Sequence, residues 1–179
     1  MTRNKPRLAL ALYARPKHPT TYHYALLLIP KPTPNSPFTP AATKYHVKNT
    51  LQVLPGDSSF SQPWRFERDE LDDVSRDPRL LVCVVVAKVL KVGRLEEVVK
   101  GVSVDGDGGF SCRSWVRDVI GGLRRGEGVV RGLGEWEEVD GKAREYVERK
   151  KEEGRWDGGG KGEIGVPVLC LVSGEEVVR

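Results

Sequence analysis

The chain has 179 residues, enough for one domain with a buried core and too few for several large ones. Its hydrophobic fraction of 39% is modest but gathered into runs, and its formal net charge is +4. Three cysteines at wide spacings, with no CxxC and no HxxxH, speak against a disulfide framework and a zinc site and suit a reducing compartment, cytoplasmic or nuclear.

The first 18 residues, MTRNKPRLALALYARPKH, are broken by Arg15, Pro16 and Lys17, so no signal peptide is expected. The longest apolar run, LLVCVVVAKVL, contains Lys88 and falls short of the roughly 18 residues a membrane span needs. Charge is uneven. Residues 1–60 hold eight Lys/Arg against one acid, a balance of +7, which leaves −3 in the rest. The basic N-terminal third suits an acidic partner, a phosphate or a membrane surface, or is an ordinary solvated face. No helix-turn-helix, RRM or finger pattern supports nucleic-acid binding.

RLALALYAR (7–15) has the length of a strand, and HYALLLI (23–29) predicts a second, too apolar to face water on both sides. Residues 30–43, with five prolines and no apolar period, predict an exposed loop. KYHVKNTLQVL is the third strand candidate. WRFERDEL alternates Trp64 and Phe66 with Arg65 and Glu67, as a half-exposed strand does. LLVCVVVAKVL (80–90) is continuous and β-branched, the signature of a central strand.

Helices follow. RLEEVVKGV predicts a short one ending near Gly101. After the turn cluster DGDGG, Ser111 can cap a helix carrying Cys112, Trp115, Val116, Val119, Ile120 and Leu123 on one face. Trp136, Val139, Ala143, Tyr146 and Val147 make the apolar stripe of a third helix, with Gly154 as its stop. RWDGGGKGE reads as a linker. IGVPVLCLV (164–172) reads as a last strand at a sheet edge or as a tail binding elsewhere, since its proline disfavours a central position. The pattern predicts an α+β fold, an antiparallel sheet with helices on one face, in a single domain over 1–155 followed by a linker and strand or tail over 156–179.

Cys112 is the candidate nucleophile. A thiol at a helix N-terminus meets the positive end of the helix dipole, which favours thiolate, and the first-turn N–H groups can serve an oxyanion. His23, opening a strand, is the candidate base. His46, on the next strand, is the candidate third member that fixes the imidazole tautomer, with Asn49 as a substitute. Each residue also has a plain structural reading. Cys112 can be a small buried hydrophobe, as Cys83 and Cys170 are in their apolar runs, and strict alternation aims His46 at solvent with Lys44 and Lys48.

The segments HYALLLI, KYHVKNT and FSCRSWVRDVIGGL, in that order, resemble the circularly permuted papain-like fold of the lecithin retinol acyltransferase group and the PPPDE peptidases. Those families place a histidine in a pattern like HWAIY, a polar residue on the next strand and a cysteine in a pattern like NCEHFV. The resemblance implies His23 as base, His46 as third member and Cys112 as nucleophile of a hydrolase or acyltransferase acting on an acyl, amide or isopeptide bond. It implies no metal or organic cofactor. Ser111, Arg113, Ser114 and Trp115 depart from NCEHFV. The chain is also similar to uncharacterised proteins of filamentous fungi that share a segment like FxCRxWV. The alternative is a catalytically inactive member of the same fold, acting as a protein-interaction module through the loop 30–43, the basic N-terminal third or the charged helix 135–153.

Overall fold

The structure is a computed structural model, and it describes residues 5–30, 41–50, 52–53, 60–105, 108–156 and 165–178. The proline-rich segment expected at 30–43 and the glycine-rich stretch after Trp156 fall largely outside the described residues.

Strand β1 (Arg7–Ala14) shows how the sheet is built. Leu8, Leu10 and Leu12 point to one face and Ala9, Ala11 and Tyr13 to the other, all of them buried. The sequence RLALALYA therefore fills two cores, the leucines under the helices and the alanines on the opposite side. Burying each leucine contributes about 2 kcal/mol. β1 pairs with β2 (Tyr22–Ile29) on one side and with β7 (Leu80–Val89) on the other. β2 continues to β3 (Ala42–Lys48) and then to β6 (Arg65–Leu71) at one edge. The short strands β4 (Gln52–Val53) and β5 (Phe60–Ser61) pair only with each other.

Beyond β7 the sheet is completed by β9 (Val168–Cys170) and β10 (Glu175–Val178), giving the order β10-β9-β7-β1-β2-β3-β6, while β8 (Val130–Arg131) pairs with one end of β7. One expectation is corrected here. The sheet is mixed, because β9 runs parallel to β7. The segment after the linker adds strands to this sheet, and its Val166 and Val168 are buried in the same core as Ala9, Ala11 and Cys83. This three-residue strand, paired with β7 on one side and β10 on the other, is tied into the domain by those two valines. Pro167 still contributes, since its carbonyl accepts from Cys83 N–H.

All three α-helices among the described residues lie on the leucine face. α1 (Val92–Gly101) buries Leu95 and Val99. α2 (Cys112–Arg125) buries the six residues its spacing predicts, and Ser111 caps it: the Ser111 hydroxyl accepts from Ser114 N–H while the Ser114 hydroxyl accepts from Ser111 N–H. α3 (Trp136–Glu152) ends at Gly154, whose φ of 73° is the left-handed geometry that suits glycine. The fold is α+β, with helices on one face of an eight-stranded sheet. Among the described residues, no helix is long and apolar enough to cross a membrane.

Candidate functional site

Strand alternation decides the site. In β2, Tyr22 and Tyr24 face the helices, and their hydroxyls donate to Glu148 and Asp140 of α3. His23, between them, projects from the other face, where its ring packs beside Tyr13. In β3, Tyr45 and Val47 face the helices, so His46 shares the far face with Lys44 and Lys48.

The two imidazoles meet there. His23 Nε2 lies 3.0 Å from His46 Nδ1, and His46 Nε2 lies 3.1 Å from Asp69 Oδ2 on β6. A carboxylate only accepts, so His46 Nε2 carries the proton, His46 Nδ1 accepts, and His23 Nε2 donates to it. This leaves His23 Nδ1 as the acceptor at the head of a His23–His46–Asp69 chain. The two histidines named as candidate base and third member are thus in hydrogen-bond contact. Asn49 is exposed and holds neither ring. His46 is 6% exposed. Alternation aims it correctly, but the cross-strand carboxylates and His23 cover it.

Asp69 is the member that the sequence did not reveal. Its signal lies in the β3–β6 register, which sets Glu67 opposite His46 and Asp69 opposite Lys44. That pairing is not legible in WRFERDEL alone. His46, Glu67 and Asp69 bring three ligand atoms within 4.8 Å of one another, a spacing that can hold a metal ion. The two lysines argue for ion pairing instead. Lys48 bridges to Glu67, and Lys44 reaches Asp69 at 3.6 Å and Asp77 at 3.1 Å. A divalent cation there would compete with two ammonium groups. These pairs also neutralise part of the basic N-terminal third.

Burial governs both imidazoles. It pushes His23 down to about 4, helped by the neighbouring His46 and Lys44. His46 is also lowered, by burial and then Lys44, against the opposing pull of Asp69. Both are neutral at pH 7.

Cys112 packs in the core on the helix face of the sheet. It occupies the first turn of α2, as expected, and is 6% exposed. The β2–β3 ladder stops at the Leu26–Tyr45 pair, and the N–H of Tyr24, beyond it, donates to the sulfur at 3.5 Å. Among the described residues neither imidazole hydrogen-bonds the thiol. Burial raises the Cys112 pKa, outweighing the N–H of Tyr24, the positive charge of Arg15 and the N–H groups of its own helix turn. The expected shift toward thiolate is thereby corrected: the helix N-terminus is present, but the sulfur is too well covered for it to prevail. Cys83, fully buried in β7, is pushed up to about 12. Cys170 is partly exposed on β9.

Two hollows meet near the thiol. One, of about 580 Å³, runs along α3 and is lined by Trp136, Asp140, Arg144 and Glu148 at four-residue spacing, facing Tyr22 and Arg113. The other, of about 260 Å³, contains Cys112 with Arg15, Arg113 and Arg144. His23 and His46 line neither. Asp140 is buried under the first, where it accepts from Tyr24 and Arg113.

The chain belongs to a family of unknown function, DUF6914, whose profile matches residues 5–178. No curated protein and no solved structure matches it.

Proposed function

We propose that the chain is a protein-interaction module, one that holds a peptide segment in the groove along α3, rather than a working thiol hydrolase or acyltransferase. The observation that carries this reading is that neither imidazole hydrogen-bonds the thiol among the described residues. Cys112 lies on the helix face of the sheet, and the His23–His46–Asp69 chain lies on the other. A Cys–His nucleophile needs the imidazole within hydrogen-bond reach of the sulfur. The hollow around Cys112 offers guanidinium groups and hydroxyls but no base.

The groove suits a peptide. Trp136 gives an amphipathic anchor at one end, Arg113 stacks on it with its charge 5.6 Å from the ring, and Tyr22 forms the facing wall. The test is selection of displayed peptides on the wild-type protein, followed by binding to Trp136→Ala and Arg144→Glu. Selected peptides that lose about tenfold or more in affinity on Trp136→Ala support the reading. Peptides indifferent to both substitutions, or none selected at all, contradict it.

One observation favours the second reading, a thiol hydrolase or acyltransferase. The hydrogen-bonded order Asp69–His46–His23 is the arrangement of orienter and base that such a site uses, and the gap in the β2–β3 ladder lies between it and the sulfur. In that reading His23 Nδ1 takes the Cys112 proton through the gap, the thiolate attacks the acyl carbon, the bond to the substrate's alcohol or amine breaks and that group leaves with the proton from His23, and water or an amine then cleaves the thioester and returns the thiol. Rapid acylation by an activated ester, lost in both Cys112→Ala and His23→Ala, would establish it.

A further inference from the structure

The hollow of about 260 Å³ at Cys112 has a lining of one sign. Arg15, Arg113 and Arg144 contribute to it, with the hydroxyls of Thr20 and Thr21, and no carboxylate lines it. Part of this charge is answered from nearby. Arg113 is paired with Asp140, and Arg144, which makes no ion pair among the described residues, acts on Glu148 in the adjoining groove. Glu148 also serves Tyr22 and Lys151. Among the described residues Arg15 has the Thr21 hydroxyl, at 3.3 Å, and no carboxylate partner.

Three guanidinium groups, one of them with no carboxylate partner among the described residues, line a cavity the size of a small headgroup. We propose that this cavity is a phosphomonoester-binding site, with Arg15 and Arg144 supplying the charge and Arg113 and Thr20 further donors. The charge selects the class. Three guanidinium groups against Asp140 and Glu148 leave an excess of positive charge, and a phosphate monoester, which carries about −1.5 to −2 at pH 7, answers it more strongly than a carboxylate's −1. Donor number selects it too, since planar forks from several directions serve three phosphate oxygens, whereas a carboxylate offers two. The cavity and the α3 groove share Thr20, Tyr22, Arg113 and Arg144, so a phosphate held here lies at the end of the groove. The inference thus deepens the interaction reading, by giving the bound segment a modified residue, and it also holds for a free small phosphomonoester.

The experiment is calorimetric titration with phenyl phosphate, with benzoate, and with a degenerate peptide pool carrying phosphoserine or serine at its centre. Protection of Cys112 from maleimide, read by intact mass, locates the ligand. Phenyl phosphate should bind and protect Cys112, benzoate should bind at least about tenfold more weakly, and Arg15→Ala and Arg144→Ala should each cost about tenfold. Arg131→Ala on β8, remote from the cavity, should change nothing. Arg144→Lys should restore part of the affinity by returning charge without the fork. Preference for the phosphoserine pool over phenyl phosphate assigns the site to a modified peptide, and the reverse assigns it to a small metabolite. No binding at millimolar phosphate overturns the proposal. So does binding that Arg144→Ala weakens no more than Arg131→Ala, or benzoate binding as tight as phosphate. Trp136 does not line this cavity, so failure of the groove under Trp136→Ala is read separately.

Discussion

Lowering the pH from about 7 to about 5 should destabilise this protein through His23, before most carboxylates titrate. Burial holds the folded imidazole near 4 against an ordinary value of 6.5. The unfolded chain therefore binds more protons between those values. Stability from this group is complete above about 6.5 and is lost as the pH falls toward 4. Integrating the two titrations from about pH 7 to about pH 5 gives a loss of about 2 kcal/mol as an upper figure, since the ring keeps some exposure to solvent. Burial sets the sign, and the groups facing the ring reinforce it. Lys44, Lys48 and Arg15 oppose a new charge, Asp69 favours one only on His46, and Tyr13 is committed to Asp77. His46 shifts in the same direction and adds to the effect. Urea unfolding at closely spaced pH values reads the loss as a falling midpoint at constant slope. His23→Gln keeps an N–H donor for His46 Nδ1 but does not titrate, so its stability should be flatter over the same range. A wild-type curve flat across this window, or a His23→Gln curve of equal slope, would refute the buried neutral pair.

Other outcomes follow from the packing. Asp140→Ala should cost about 3 kcal/mol in urea unfolding, because it strands the Tyr24 hydroxyl and Arg113 around a buried site. Gly121→Ala should stabilise α2 by up to about 1 kcal/mol, since the added methyl meets only the mobile end of Arg125. At Gly122 the same methyl would lie 2.9 Å from Val98 Cγ1 of α1, so the gain should be cancelled or reversed; equal melting shifts for the two variants would contradict that contact. Native alkylation should modify Cys170 first and Cys83 last, as their burial orders them, with mass mapping as the readout.

Much of the fold is legible in the chain because its strands and helices carry strong periods. The Leu/Ala alternation of β1, the β-branched run of β7 and the apolar stripes of α2 and α3 each name their element and its buried face. What the chain hides is pairing. Nothing local in VPVLCLV says that it joins β7 in parallel, because that choice rests on Val166 and Val168 fitting a face made by residues far upstream. The site divides in the same way. The His23–His46 contact is legible from two strands read in order. The side of the sheet on which each residue falls is not, because it depends on where α2 packs. Tyr22 and Tyr24 bracket His23, and α3 holds both tyrosines, which fixes His23 on the other face. Asp69 needs the β3–β6 register before it can be assigned to His46.

The central claim is that the Cys112 thiol and the histidine chain act apart. The pH–rate profile of Cys112 alkylation, measured on wild type, His23→Ala and His46→Ala, tests it most directly. The account predicts a thiol pKa above the ordinary value and the same in all three proteins, because burial sets it and no imidazole hydrogen-bonds the sulfur among the described residues. A wild-type pKa below that of free cysteine, rising in His23→Ala and less in His46→Ala, would contradict it and make Cys112 a nucleophile served by His23.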